Sequence, residues 1–442
     1  MHDTTRTLTA LAALLLLAAP TLGQANDIAS VTAIQAPAPG LRPALPQALP
    51  PLKPDEYRET DLWGRIRSGY AIPDVDNSLV ERHTKRYASR PDDLDRIGGR
   101  ASLYLYHVVQ ELEKRGMPTE LALLPVIESA FNPKAVSSAN AAGIWQFIPG
   151  TGRHFNLKQN LFKDERRGVL ASTDAALTYL QRLYTMFGDW HLALAAYNWG
   201  EGNVQRAIQK NQSLGKPTDF ESLAELMPAE TRNYVPKLQA VKNIVANPAY
   251  FSVVLPAIDN QPYFTAIDKT SDIDLAIAAQ LAEMSLDEFK ALNPQFKRPV
   301  IIGDERTKIL LPKENAEKFQ LNLEQWGEAL STWTTHRITS AKETISSLAS
   351  KFDTTPEVIR QANNIPAKTR LKAGSTILVP KTSNSSHANI AQHVVENAVL
   401  AFEAERSGKR TKVAKTQRYK TKASTGSGKK KSATSSSRRK QR

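Results

Sequence analysis

A mainly α fold is predicted for the body of this chain, with two small mixed modules behind it. Three observations carry that prediction. Apolar residues recur at helical spacing between Leu103 and Val245; Gly and Asn punctuate those stretches; and after Phe251 the texture changes to two similar runs of strand, helix, helix, strand. The 442 residues suffice for two or three domains, and a hydrophobic fraction of 41% supplies a core.

Residues 1–25 carry Arg6, an apolar stretch from Leu8 to Leu22, and then Gly23-Gln24-Ala25, the arrangement of a cleaved signal peptide. The run is shorter than the ~20 apolar residues that span a bilayer, and Pro20 interrupts it. An exported protein without a transmembrane anchor is expected. Residues 26–60 are dense in proline between Pro37 and Pro54 and read as an extended linker.

The domain expected over 61–250 begins with a helical extension to about Arg115, where Leu103, Tyr106, Val109 and Leu112 share a face and Gly116 provides a stop. Pro118 suits the first turn ahead of Leu121, Leu124 and Ile127. Ser172 or Thr173 with Asp174 is expected to cap a helix carrying Leu177, Leu180 and Leu183, which Gly188 ends. Trp190 to Trp199 forms another, and Glu230 to Val245 a last long one. Short helices joined by Gly and Asn loops fit a lysozyme-like packing better than a regular bundle.

The two modules span 263–312 and 335–380. The later one opens on a strand at Thr335–Thr339, passes through Thr344–Ala349 and Thr355–Ile359, reaches Ala362-Asn363 and closes on Ile377–Pro380. The earlier one repeats the scheme, with Leu292-Asn293-Pro294 ahead of Ile309–Pro312.

Charge and cysteine usage exclude several classes of function. Residues 401–442 hold 15 Lys/Arg against 2 Asp/Glu, so this terminal stretch carries almost all of the chain's net charge of +14. Set among Ser, Thr and Gly, it reads as a disordered polycation for anionic lipid or wall polymer, and a nucleic-acid function would rest on that segment alone. With no cysteine there is no disulfide, thiolate metal site, cysteine nucleophile or N-terminal lipid on cysteine. The eight histidines include no close metalloprotease-like pair, so neither metal nor cofactor is expected.

Glu128 is the only ionisable side chain between Leu121 and Pro133. A carboxyl group at the edge of an apolar helix is desolvated, its charged form is disfavoured and its pKa rises. Such a group can protonate a leaving oxygen near neutral pH. A partly exposed glutamate at a helix end is the bland alternative.

Downstream of Glu128-Ser129 lie Ala142-Gly143-Ile144-Trp145-Gln146-Phe147, Ala195-Ala196-Tyr197-Asn198-Trp199-Gly200 and Glu230-Thr231-Arg232-Asn233-Tyr234-Val235. In this order and spacing they resemble the motifs of the soluble lytic transglycosylase family, and the two modules resemble LysM units. The resemblance implies a periplasmic enzyme acting on peptidoglycan glycan strands, with Glu128 as acid and base. It makes Ser129, Ser137, Gln146, Tyr197, Asn198, Glu230 and Tyr234 substrate-binding or site-closing residues. Ser137 would face the acetamido group, Tyr197 would bond near the catalytic carboxyl, and Asn198 would hold the adjoining loop. On residue grounds alone Gln146 could cap a helix and Tyr197 could be core, while Trp145 and Trp199 read as core.

A hydrolase of the two-carboxylate kind needs a second acid across the bond, and Asp164, Glu165, Asp174 and Asp189 sit in polar, capping or turn-like contexts. The resemblance therefore implies the non-hydrolytic route, in which the substrate's N-acetyl group stabilises the cation and a 1,6-anhydro-MurNAc end forms. A lysozyme-type muramidase and a non-catalytic wall-binding scaffold are the alternatives. The module at 335–380 has Ala341-Lys342-Glu343 where LysM units carry Gly-Asp, and that at 263–312 is more divergent, which leaves sugar binding and a structural role both open for it.

Overall fold

Asp61 accepts N–H bonds from Trp63 and Gly64 and so starts the first helix. The computed structural model describes residues 61–383 and 388–404; the expected signal peptide, the proline-rich linker and the basic segment beyond Ala404 lie outside the described residues. Four helices form the N-terminal extension: α1 Leu62–Ser68, α2 Ser78–Ala88, α3 Pro91–Ala101 and α4 Leu105–Lys114. A 3-10 turn at Thr119–Leu123 runs into the short α5 Leu124–Ser129, followed by α6 Pro149–His154, α7 Val169–Phe187, α8 Trp190–Trp199, α9 Glu201–Ser213 and α10 Phe220–Leu223. The body closes with α11 Ala229–Arg232 and α12 Tyr234–Ala246.

One apolar core runs through all of this, with Leu105, Leu112, Leu124, Trp145, Leu180, Leu194 and Val204 fully buried. The extension is locked to it by polar contacts as well. Glu120, almost fully buried, accepts N–H bonds from Ala71 and Ile72, and Lys242 of α12 reaches Glu120 at 3.2 Å and the Ile72 carbonyl at 2.7 Å. A buried carboxylate is tolerable when its lone pairs are filled in this way.

Two helix boundaries differ from the sequence reading. Helix α7 begins at Val169 with no side-chain cap, and Ser172 and Thr173 lie buried inside it. Thr173 is turned inward because its Oγ1 accepts the Trp145 indole N–H at 3.0 Å, while Asp174 pairs with Arg115 across the surface. The long last helix is broken at Asn233, whose side chain bonds back to the Ala229 carbonyl and across to His83. That break makes Tyr234 the first residue of α12. Helix α9, which the sequence reading passed over, packs against α8.

The first module comprises β1 Phe264–Asp268, β2 Ile273–Asp274, α13 Leu275–Leu281, α14 Leu286–Leu292, β3 Val300–Ile301 and β4 Lys308–Pro312, with β1 antiparallel to β4. An additional helix, α15 Lys313–Glu324, buries Ala316 and Phe319 against it. The second comprises β5 Trp333–Arg337, α16 Ile345–Lys351, α17 Pro356–Asn363, β6 Thr369–Leu371 and β7 Thr376–Pro380, with β5 antiparallel to β7. Its first strand thus starts two residues before the predicted Thr335. Helix α18 Gln392–Asn397 and strand β8 Phe402–Ala404, which pairs with β6, follow.

The sequence repeat has a structural counterpart at two asparagines. Asn293, wholly buried, donates to the carbonyls of Phe289 and Leu310 and accepts the Leu310 N–H. Asn363 makes the same three bonds to Ile359 and Leu378. In each module one amide pins the last strand to the second helix. Each is an obligatory partner, since a buried strand N–H left unpaired costs ~1–3 kcal/mol.

The first module is also built into the helical body. Leu292 and Leu310 join the main core, the Asp164 N–H bonds to the Gln295 carbonyl, and the Lys297 N–H bonds to the Phe162 carbonyl. Phe162 then shares a cluster with Val300, Ile302 and Leu378 of the two modules. Replacing Asn363 with Ala is expected to destabilise the second module by at least about 2 kcal/mol, read as lost hydrogen-exchange protection at the Leu378 amide while amides of the helical body keep theirs.

Candidate active site

Helix α5 is only six residues long, and Glu128 sits in its last turn. It ends because Ala130 and Phe131 both adopt left-handed backbone, at φ 51° and 54°, with the Ala130 and Phe131 amides returning to the Val126 and Pro125 carbonyls. The buried Phe131 ring anchors this turn and Arg100 holds the Ala130 carbonyl. Backbone of this type in non-glycine residues persists only where the surroundings impose it. Glu128 is thereby fixed at the end of an apolar helix, facing a cleft.

The opposite wall is the loop 135–147, folded on itself by bridges between Val136 and Ala142 and between Ala142 and Phe147. Gly143, at φ +82°, lets it pass so close to Arg166 that an added Cβ would lie 1.9 Å from the Arg166 carbonyl oxygen. Arg166 in turn binds the Asn140 and Phe147 carbonyls and is neutralised by buried Asp164. The fully buried Trp145 ring nails the loop to α7.

A cleft of about 490 Å³ opens between these walls. Glu128, Ser137, Gln146, Tyr197, Asn198, Glu230 and Tyr234 all line it, although they are drawn from segments more than 100 residues apart. Tyr234 donates its hydroxyl to Glu128 Oε1 at 2.5 Å. Burial raises the Glu128 pKa to about 7; Glu230 adds to that rise, while the Tyr234 hydrogen bond and Lys237 oppose it. Burial also pushes the Tyr197 and Tyr234 phenols well above their ordinary range, Glu128 adding to the rise, so both remain hydroxyl donors.

Two expectations are revised and one is sharpened. Tyr197, close enough to Glu128 to feel its charge, donates to the Trp145 carbonyl at 2.9 Å, and Tyr234 is the tyrosine on the carboxyl group itself. Ser129 does not line the cleft: its hydroxyl is spent on the Ile144 and Pro125 carbonyls, which ties the Glu128 helix to the facing loop. Trp199, read as core, lines the cleft together with Tyr179 and Lys237. Lys237 was legible from its place one helical turn beyond Tyr234; Trp199 was not, because nothing in the sequence separates a cleft tryptophan from a buried one.

Asn198, Gln146 and Ser137 each make a local hydrogen bond beside the cleft. Asn198 accepts the Thr231 hydroxyl at 2.7 Å and couples α8 to α11. Gln146, at φ 49°, bonds its amide to the Gly143 carbonyl, and the Ser137 hydroxyl accepts the Ala141 N–H. Of the four carboxylates set aside above, Asp164 is the loop anchor, Glu165 pairs with Lys163, Asp174 pairs with Arg115 and Asp189 caps α8. Glu230 is a second carboxylate in the cleft, exposed on α11.

Comparison with known proteins matches this architecture domain by domain. The transglycosylase SLT domain matches residues 107–220, the LysM-like domain of lytic transglycosylase MltD matches 263–327, and the LysM domain matches 340–380. Membrane-bound lytic murein transglycosylase D of Escherichia coli (strain K12) is 36% identical over 337 residues, 74% of this chain and 74% of that protein. The chain belongs to this family. It is a peptidoglycan lytic transglycosylase, with a lysozyme-like SLT domain and LysM modules, a domain set that implies peptidoglycan binding. Over the SLT region it is also similar to the soluble lytic murein transglycosylase of Salmonella typhimurium, 37% identical over 131 residues that cover 28% of this chain and 19% of that one. The 70 kDa soluble lytic transglycosylase of Escherichia coli, a solved structure, is 28% identical with a TM-score of 0.26, over 32% of this chain and 24% of that one.

The raised Glu128 pKa has a stability consequence of definite sign. The folded chain holds this proton up to about pH 7, whereas the unfolded chain releases it near 4.5, so stability falls as pH rises between those values. Glu128→Gln is expected to melt higher than the parent at pH 8, by on the order of 3 kcal/mol of stability, with the gap closing by pH 4.5 in calorimetry. Tyr234→Phe removes a bond that favours the carboxylate, and is expected to move the Glu128 titration, followed by carboxyl NMR, to higher pH.

Proposed function

We propose that Glu128 cleaves the MurNAc-GlcNAc β-1,4 bond first as acid and then as base. A neutral carboxyl delivers its proton to the glycosidic oxygen, the bond from C1 to that oxygen breaks, and the GlcNAc-bearing hydroxyl departs. The substrate's N-acetyl carbonyl oxygen stabilises the cationic C1. Glu128, now a carboxylate, takes the proton of the muramic acid C6 hydroxyl as its oxygen closes on C1, leaving a 1,6-anhydro end and a neutral carboxyl group. Atoms balance without water. The intramolecular hydroxyl outcompetes water through its high effective molarity.

The observation that carries this reading is the Tyr234–Glu128 hydrogen bond beside a carboxyl group with a pKa of about 7. A group so poised changes protonation state at little cost in either direction. Tyr234 would steady the carboxylate midway through the reaction, while Gln146, Ser137 and Asn198 would hold sugar substituents along the cleft. Glu230 is the one group that could favour a muramidase instead, by activating water. Its exposure on the rim, on the same chain segment as Tyr234, supports a substrate-positioning role.

The relative's name describes a membrane-bound protein, and we place this chain in the periplasm, exported by residues 1–25. Among the described residues no helix is long and apolar enough to cross a membrane. The basic segment 401–442 would supply contact with anionic lipid or wall polymer by charge alone. A wall-binding scaffold would need no titratable carboxyl group at the end of a constrained helix.

Mass spectrometry of digested sacculi is expected to show 1,6-anhydro-MurNAc ends. Reducing muramic ends would instead establish the hydrolase. Glu128→Gln is expected to lose at least about 10²-fold in rate, whereas Glu230→Gln is expected to slow turnover and still give the anhydro product. The bond-cleaving rate should decline as pH rises through about 7, as the acid form of Glu128 is depleted.

A further inference from the structure

A second cavity, of about 530 Å³, lies between the two LysM modules and shares no lining residue with the Glu128 cleft. Its walls are apolar on both sides: Leu286 and Phe296 come from the first module, Trp333 and Val358 from the second. Among the lining residues is Arg298, only 6% exposed. Its Nε and Nη1 have no hydrogen-bond partner. Asp274, 6% exposed, lines the same cavity; Thr332 takes its Oδ2 through both N–H and hydroxyl, and its Oδ1 is left without a partner.

A buried guanidinium normally sits in a carboxylate fork, because leaving it unpaired forfeits hydration without return. Arg166, the other buried arginine among the described residues, obeys that rule on Asp164. Arg298 has no such partner among the described residues, and burial alone, with no offsetting carboxylate, holds its pKa below the ordinary guanidinium value. The surrounding charge is mostly positive as well: Lys290 and Lys297 stand on the lining with Arg298, against the single carboxylate of Asp274. Unpartnered groups of opposite kind, on two residues lining a cavity with aromatic walls, define what fits. The occupant brings a carboxylate for Arg298, an N–H for Asp274, and small apolar substituents between Phe296 and Trp333.

We propose that this intermodular cavity binds the carboxylate end of a peptidoglycan stem peptide, with Arg298 as the anion-binding group and Asp274 accepting the terminal amide N–H. The proposal rests on the reading of the chain as a wall enzyme and adds the peptide to the glycan as a recognised feature. A chain-terminal residue carries both required groups, whereas an N-acetylglucosamine polymer carries no carboxylate. The site also has a fixed relation to the catalytic body, since Lys297, the neighbour of Arg298, is bonded to Phe162 through its N–H and to the Asn160 carbonyl through its ammonium group. A strand held here by its peptide would present its glycan to Glu128 at a set distance, which raises effective concentration.

The test is calorimetric titration of the full chain with D-alanyl-D-alanine, its C-terminal amide, and chitotetraose as a peptide-free glycan. The free dipeptide is expected to bind saturably. Amidation of its carboxylate, or the substitution Arg298→Leu in the protein, is expected to weaken binding by at least about tenfold each, and chitotetraose is expected not to displace it. Equal affinity for the amide, undiminished binding by a folded Arg298→Leu variant, displacement by chitotetraose, or no binding of the dipeptide would each overturn the proposal. The amide comparison uses the unaltered protein and decides the question even if Arg298→Leu does not fold. Anhydro products from sacculi with no dipeptide binding sink this inference alone, and dipeptide binding without cleavage of sacculi sinks the catalytic reading alone.

Discussion

One carboxyl group is held in an apolar wall, and much of the helical body can be understood as the means of holding it there. Glu128 stands at the end of a helix too short to be stable by itself, so its position is set from outside: by Phe131 in the core, by Arg100 on the Ala130 carbonyl, and by Ser129 on the facing loop. Desolvation then raises its pKa and Tyr234 moderates the rise. The result is a carboxyl group whose proton affinity is tuned by packing, with a single hydrogen bond as the fine adjustment.

The same economy governs the facing loop. Gly143, Trp145 and Gln146 lie within four residues of sequence but do different work: the glycine permits contact with Arg166, the tryptophan is a buried anchor, and the glutamine lines the cleft. Arg166 and Asp164 form a buried pair whose value lies in fixing loop geometry, because a buried ion pair seldom stabilises a fold outright. The modules use an uncharged version of this device, an asparagine satisfied on three sides that joins helix to strand. In the first module the segment following that asparagine continues into contacts with the catalytic body, so module and body share one framework.

Periodic features could be read without coordinates. Trp190–Trp199 was legible to the residue, since Asp189 caps it and Gly200 ends it. The strand, helix, helix, strand repeat was legible because its apolar runs and its asparagines recur. Boundaries set by tertiary demand were not. Ser172 and Thr173 have the chemistry of caps, yet they lie buried within α7, where the Trp145 indole claims the Thr173 hydroxyl; Asn233 interrupts a helix whose apolar pattern continues through it.

For the site, sequence by itself determined which residue types are available and in what order: a lone carboxylate in an apolar run, and the ordered motifs that mark its family. Side-chain chemistry and spacing along one chain are local properties, and both were readable. Which tyrosine touches Glu128, which tryptophan faces the cleft, and which arginine is left without a carboxylate were decided only by the fold. These are relations between segments far apart in sequence, and the energies that choose among them, desolvation and hydrogen-bond satisfaction, do not exist until the segments meet.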